Sequence, residues 1–418
     1  MVAFLKKYIY YMLLFTIGVI PLQQELTAFC VGITFLSGLY LRLKEGKQQQ
    51  VVLKKREQYL LYLLLAIAIG SLYFSRDWFL SSFNLLYVGG QYVAIIFLLL
   101  NYGQGAGQKV PKEASLWQQL QAMPRPVQLV AVFLAMSIVV SCLGIGQKIL
   151  GITAEGIWVD PDKFPELKIR VYSTLVNPNI LGGYLVLIIA YAVGFVNVIK
   201  KRALKNSLIY LGLLACICLL YTYSRGNWLA AAAVLLAFCL CYCHKAFLPV
   251  AGVGLLGLAL GGQAMLHRLS SITSKEDTSA ALRVAYFRST KWIIEEFPQG
   301  VGWYGYRFVY PEYNYYLADT SVIMYHCHNI FLNVLAELGW HGLIVFLLIW
   351  GAFLKAGYEL AKEGKTPYLQ GLGQAYVLAS IGIAIGGLTD HVYFNTQMGL
   401  LFWTLGIITM LGRQMNNK

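Results

Sequence analysis

The chain has 418 residues, 58% of them hydrophobic and only 12% charged, with a mean hydropathy of +0.61. A soluble domain of this length would carry about a quarter charged residues, so a water-soluble enzyme or binding module is excluded. The net charge of +14 would suit nucleic-acid binding if it formed one patch, but its distribution along the chain gives it a different meaning.

Apolar stretches long enough to cross ~30 Å of hydrocarbon recur throughout the sequence. In chain order they cover approximately 8–21, 26–42, 58–74, 78–100, 127–147, 176–198, 206–222, 226–243, 246–266, 340–357, 370–388 and 393–412. Backbone polar groups in lipid must be satisfied within their own segment, which predicts helices. The expected fold is all-α, a single integral membrane domain over 1–418 with about twelve transmembrane helices. Only Phe74–Asp77 separate the third and fourth spans, as a tight hairpin requires. With the amino terminus in the cytoplasm, the seven inner segments hold 21 of the 33 basic residues but 5 of the 19 acids. Lys47, Lys109, Lys112 and Lys418 are among those basic residues. The resulting balance is +16 inside and −2 outside. Miscounting one span would invert every later loop, so this asymmetry supports the count. The net charge reports membrane orientation, and no nucleic-acid partner is expected.

Lys6 and Lys7 precede the first apolar run, and no small-x-small cleavage site follows before the second span, so a retained signal anchor is expected. Seven of the eight cysteines (Cys30, Cys142, Cys216, Cys218, Cys239, Cys241, Cys243) fall in spans or at their ends. Cys327 alone lies in an external loop, which argues against a disulfide framework.

Two external segments are long. Residues 148–175 form a medium loop containing Pro161 and Pro165. Residues 267–339, about 73 in number, form a loop before the tenth span that is rich in Tyr, Trp, Arg and Glu. Within it, Ala280 to Glu296 reads as an amphipathic helix. His328 to Leu338 puts Ile330, Leu332, Val334, Leu335 and Leu338 on one apolar side, predicting a helix near the outer interface with Glu337 at that interface. Gly339 and Gly342 bracket a bend.

The unusual polar residues gather on the outer face: Asn177-Pro-Asn179, Ser224-Arg225-Gly226, Asp390-His391 and Arg76-Asp77, with Arg268, Arg283, Arg288, His326 and His328 from the long loop. The helix centres hold no comparable ionisable group. A coupled transporter would place such groups near the midplane and would show repeats, and neither feature is found. Arg225 between two apolar spans can serve as an interfacial anchor, yet its small neighbours leave the guanidinium open for bidentate phosphate recognition. Arg283 is either a solvated surface charge or a second such group. His326-Cys327-His328 suggests a metal site, but alternate residues in one short segment supply too few ligands for zinc. His328 instead suits a general base, the usual task of histidine at neutral pH.

Taken together, Asn177-Pro-Asn-Ile-Leu-Gly-Gly183, Ser224-Arg-Gly226, Arg283 ahead of Pro298-Gln-Gly-Val-Gly302, and His328-Asn-Ile-Phe-Leu332 with Glu337-Leu-Gly339 and Gly342 resemble the O-antigen ligase family, which includes Wzy-type polymerases and protein O-oligosaccharyltransferases. The resemblance covers residues 175–345 by motif. It implies a GT-C-like bundle that moves a glycan from undecaprenyl diphosphate to an acceptor hydroxyl without metal or nucleotide sugar, inverting the anomeric centre. It makes His328 the base, has Arg225 and Arg283 hold the diphosphate, and makes Asn179 and Asn329 polar supports. Asn177, His326, Asp390 and His391 complete the expected substrate-binding set. No cofactor is implied. The implied partners are an undecaprenyl-diphosphate glycan, a lipid A-core or other surface acceptor, and membrane lipids, and the implied place is the bacterial cytoplasmic membrane. Trp303-Tyr-Gly305 departs from the family pattern. The tyrosine-rich run Tyr310 to Tyr316 either stacks on sugars or, as we expect, anchors at the interface. A polymerase of the same glycan and a bicarbonate-like solute carrier are the alternatives.

Overall fold

The computed structural model describes residues 2–46, 53–108, 115–152, 169–270, 278–314 and 323–417. Pro161, Pro165, Tyr315, Tyr316, Lys47, Lys109, Lys112, Lys418 and the side chain of Arg268 lie outside the described residues.

Every regular element among the described residues is helical. In order these are α1 (Val2–Val19), α2 (Gln24–Glu45), α3 (Lys55–Ser71), α4 (Trp78–Asn84), α5 (Gly90–Tyr102), α6 (Leu116–Ala122), α7 (Arg125–Leu150), α8 (Pro178–Val198), α9 (Arg202–Tyr221), α10 (Arg225–Cys241), α11 (Phe247–Ser270), α12 (Thr278–Glu296), α13 (Tyr306–Val309), α14 (Ile330–Glu363), α15 (Pro367–Gly387) and α16 (Thr396–Asn416). A π-helical turn over Leu85–Gly89 joins α4 to α5 into one span. A helix covers each of the twelve predicted spans, and eight of these helices are long and apolar enough to cross a membrane. The chain is an all-α polytopic membrane protein.

The centre of the bundle is α8, buried along nearly its whole length and packed between α9, α10 and α15. Small residues permit this closeness: a Cβ on Gly194 would lie 2.5 Å from the Ala375 backbone nitrogen. Helix association in lipid depends on such packing and on polar ties, because lipid tails are as apolar as leucine. At the end of the bundle remote from the site described below, Asn197 donates to Gln374 at 2.9 Å, and the Arg413 guanidinium donates to buried Glu57 at 2.6 Å.

The predicted amphipathic helix is α12. The 330–338 helix, expected to turn its apolar side to the outer interface, buries much of that side against protein. It is the first arm of α14, set off by a kink at Gly339 (φ 67°, ψ −177°), with Ile330, Asn333, Leu335 and Ala336 buried in protein. The Pro298–Gly302 segment docks onto that kink. Val301 N donates to Ala336 O at 2.8 Å and Gly302 N to Glu337 O at 2.9 Å. Gly300 (φ 92°) and Gly339 face each other so closely that a Cβ on either would meet the other segment's backbone at 2.5 Å. The two glycine motifs are therefore one structural joint. Since left-handed strain alone costs about 1–3 kcal/mol, Gly339→Ala should destabilise by at least about 2 kcal/mol, seen as a lowered Tm with no change in span topology. An unchanged Tm would mean that the joint does not hold.

Candidate active site

Helices α8, α10, α14 and α16 begin, and α15 ends, at one end of the bundle. The residues ahead of the first three starts are strained: Val176 (φ 60°), Tyr223 (φ 50°) and His328 (φ 57°) lie in the left-handed region. This is rare for non-glycine residues and an outlier for valine. Such conformations persist only where the surroundings over-determine them. Each is followed by an extended residue that opens the helix. Asn177 Oδ1 accepts from the Asn179 and Ile180 amides (2.7 and 3.4 Å). Asn329 Oδ1 accepts from the Phe331 and Leu332 amides (2.9 and 3.0 Å), while its amide donates to Leu388 O at 3.1 Å. Ser224 opens α10. Helix N-termini carry partial positive charge, so their gathering favours an anion.

At their focus, His328 Nδ1 lies 3.0 Å from Asp390 Oδ1. Asp390 is buried and held on every side: Oδ2 accepts from Asn179 Nδ2 at 2.9 Å, and Oδ1 from its neighbour's amide, His391 N, at 2.8 Å. Burial alone would raise its pKa. The charge and hydrogen bond of His328, with His326 and Arg283, more than offset this and hold the carboxyl well below its ordinary range. An ionised carboxylate only accepts, so the proton of a neutral His328 sits on Nδ1 and leaves Nε2 with a free lone pair. This is the orienting role a carboxylate plays beside a catalytic imidazole. The His328 ring stacks on Tyr286 of α12 at 5.2 Å and meets the His326 ring edge-on at 4.5 Å. His326 Nδ1 accepts from the His328 amide at 3.2 Å. Burial, and then the charge of His328, push the pKa of His326 well down, so it stays neutral and positions His328. Burial likewise pushes His391 down to about 4.

Beside the dyad, Arg170, Arg225 and Arg283 line one small cavity of about 40 Å³ together with Asn179, Asn227, Thr389 and Asp390. Arg225 is the first residue of α10, and Arg283 comes from α12. A Cβ on Gly226 would lie 2.5 Å from Thr389 Oγ1, so glycine at that position lets α10 start against the 388–390 turn. Sequence reasoning missed Arg170, which is buried; its Nε donates to Thr222 O at 2.8 Å and its Nη2 to Asn179 Oδ1 at 2.9 Å. No motif marked it, since its place depends on residues 170–171 bonding to Tyr221 and Thr222 at the end of α9.

Other expected groups are used differently. Asn177 caps α8 through its Oδ1 and does not line the arginine cavity. Arg76 pairs with Glu312, Asp77 caps the Leu80 amide at 2.9 Å, and Arg288 is exposed, so none of the three joins the cavity. Tyr310 and Tyr313 are not interfacial anchors; with Tyr286, Tyr306, Ile293 and Cys327 they build a separate hydrophobic core for the loop. The metal reading gains a third ligand that the sequence did not offer. Ligand atoms of His326, His328 and Asp390 lie within 4.8 Å of one another. Tetrahedral zinc with bonds of about 2.0–2.1 Å needs ligands about 3.4 Å apart, so the site would have to contract, and the hydrogen-bonded dyad accounts for the same atoms without contraction.

Glu337 is tied to the long loop. Its Oε2 accepts from the Tyr304 amide at 3.1 Å, and burial pushes its pKa up to about 8 despite the Tyr304, Tyr306 and Asn333 donors. A folded pKa raised above the unfolded value means stability that is full below pH 4.5 and lost as pH rises through 8. The Tm of the wild type should therefore fall between about pH 5 and 9, and that of Glu337→Gln should stay flat. Parallel curves in thermal melts would remove the carboxyl from this role.

Residues 209–347 match a family model described as O-antigen ligase. The match spans Arg225, Arg283, His326, His328 and Asn329. Arg170, Asn179 and Asp390 lie outside it and are brought to it by the fold. No curated protein matches the sequence.

Proposed function

We propose that this chain, whose residues 209–347 match the O-antigen ligase family model, transfers a glycan from undecaprenyl diphosphate to an acceptor hydroxyl at the outer face of the cytoplasmic membrane. The observation that carries this reading is the His328–Asp390 dyad, 3.0 Å apart, beside a cavity lined by three arginines.

In this reading His328 Nε2 takes the proton of the acceptor hydroxyl. The oxygen attacks C1 of the glycan, and the bond from C1 to the phosphate oxygen breaks. The electron pair leaves with polyprenyl diphosphate, and the anomeric centre inverts. Diphosphate needs no general acid if its growing charge is stabilised, and Arg225 and Arg283 supply preorganised donors for that purpose. The positive ends of α8, α10 and α14 add to them. No metal is assigned to the reaction.

The test is made on the full-length protein reconstituted in bilayers with polyprenyl-diphosphate glycan and a panel of lipid-linked saccharide acceptors. Glycan should appear on an acceptor, with inverted configuration and one polyprenyl diphosphate released per transfer, in the presence of EDTA. Absence of transfer to every hydroxyl acceptor would overturn the reading. Transfer only onto the same lipid-linked glycan would make the protein a polymerase.

A further inference from the structure

Trp303 and Tyr304 stand where the sequence departs from the family pattern, and glycan transfer gives them no task. Both rings line a cavity of about 380 Å³ that His328, Arg225 and Arg283 do not line. Tyr325 and Tyr393 extend its aromatic wall, and Glu337 is the only charged residue in that lining. Glu337 keeps part of its surface exposed, so a ligand in the cavity can meet its carboxyl. Three of the neighbouring amide oxygens are already used. Asn84 Oδ1 accepts from Trp303 Nε1 at 2.8 Å, Asn333 Oδ1 from the Cys327 amide at 3.1 Å, and Asn395 Oδ1 from the Gln397 and Met398 amides at 3.1 and 3.2 Å. Burial keeps His391, on the same wall, uncharged at neutral pH.

This composition selects its ligand. An anion meets no positive group in the lining. A hard divalent cation needs several oxygen ligands, which one carboxylate among spent amides does not supply. An organic ammonium group meets both partners that hold it. Aromatic rings attract it through their quadrupole, and a carboxylate neutralises it where the surroundings screen little. Two of these rings already hold a cation: Arg307, which does not line the cavity, stacks on Tyr304 and Tyr325 at 5.2 and 4.8 Å. Burial pushes the Glu337 carboxyl up to about 8, and a bound ammonium would offset the desolvation of its ionised form.

We propose that this cavity is a binding site for an organic ammonium group, with Glu337 as its counter-ion and Trp303, Tyr304, Tyr325 and Tyr393 as its aromatic wall. The ligand is neither donor nor acceptor in the transfer, because the His328–Asp390 dyad lies outside the cavity. The site borders the joint between the long loop and α14. Glu337 itself makes two bonds of that joint, its carbonyl accepting from Gly302 N at 2.9 Å and its Oε2 from Tyr304 N at 3.1 Å. Occupancy therefore stabilises the joint and the arm of α14 that follows His328.

Binding is measured by equilibrium dialysis on full-length protein in phosphatidylglycerol discs at about pH 8.5, where the carboxyl is mostly ionised, with empty discs as the blank. The probes are labelled choline and neohexyl alcohol, its neutral isostere. Choline should bind about tenfold or more tightly than the alcohol and should raise the Tm. Glu337→Gln should bring the two probes to equal affinity. Tyr325→Leu, at an exposed position, should weaken choline and keeps the test open if the Glu337 variant fails to insert. Equal affinity of the two probes for wild type overturns the inference, as does undiminished choline binding by both variants. The choline measurement is repeated in discs containing phosphatidylethanolamine. Weaker choline binding there makes the natural occupant a lipid headgroup, and unchanged binding makes it a free amine; ammonium recognition stands in both cases. It stands equally if no acceptor is ever glycosylated, since it does not depend on the transferase reading.

Discussion

Replacing His328 with alanine is expected to reduce glycan transfer by about 10²–10⁴-fold, the range a positioned general base supplies. The side chain is half-buried and bonded to Asp390, and the turn ahead of α14 is also held by Asn329, whose Oδ1 caps the helix and whose amide donates to Leu388 O. The variant should therefore insert normally and still bind donor. Asp390→Asn should cost nearly as much for a different reason. A carboxylate can only accept and fixes the proton on Nδ1, whereas a carboxamide can donate to Nδ1 and put the proton on Nε2, the atom that must be basic. His391→Gln should leave the shape of the pH–rate profile unchanged between about pH 5.5 and 9, because burial keeps His391 neutral there. Asp390 does not titrate within that range either. Its depressed pKa supplies stability above the unfolded carboxyl range and loses it only as pH falls through the folded value. Initial rates against pH for the four proteins check this. Transfer by His328→Ala within about threefold of wild type would remove the base assignment.

The spans were legible because crossing a membrane imposes a composition on twenty residues at a time, and no tertiary contact can override it. The amphipathic helix α12 was legible for the same local reason. What failed was whatever depends on residues distant in sequence. Helix 330–338 has an apolar side, but composition could not tell whether lipid or protein covers it; the Pro298–Gly302 segment does, through backbone bonds to Ala336 and Glu337. For the same reason the tyrosines at 310 and 313, expected as interfacial anchors or sugar-stacking rings, could not be read as the loop core they form. His328, Arg225 and Arg283 were nameable, and Asp390 and His391 stood out as polar residues in a short turn. That Asp390 bonds His328 across 62 residues, and that Arg170 bonds Asn179, are contacts made only by folding. The left-handed residues at 176, 223 and 328 follow no local rule either, since valine and tyrosine resist that region intrinsically.

The arginines yield the second large effect. Arg225→Ala and Arg283→Ala should each lower kcat by about 10²–10³, as loss of one preorganised donor to a developing anion does. The drop should fall on kcat more than on the donor KM, because negative charge on the bridging oxygen grows only as the glycosidic bond breaks. Lysine should rescue each variant in part: it keeps the charge but loses the planar fork that binds two phosphate oxygens. Arg170 separates binding from positioning. Its Nε and Nη2 are spent on Thr222 O and Asn179, and Asn179 in turn holds Asp390, so Arg170→Lys should lower kcat by loosening the dyad and leave the donor KM nearly unchanged. Arg283 does both, since its charge also helps hold the Asp390 carboxyl down. The double variant Arg283→Ala with Asp390→Asn should therefore lose less than the product of the two single losses, as coupled neighbours do. Steady-state kinetics with donor varied at saturating acceptor separates these cases. Full activity in both lysine variants would show that the site needs only charge, and strict multiplicativity in the double variant would show that Arg283 acts on the diphosphate alone.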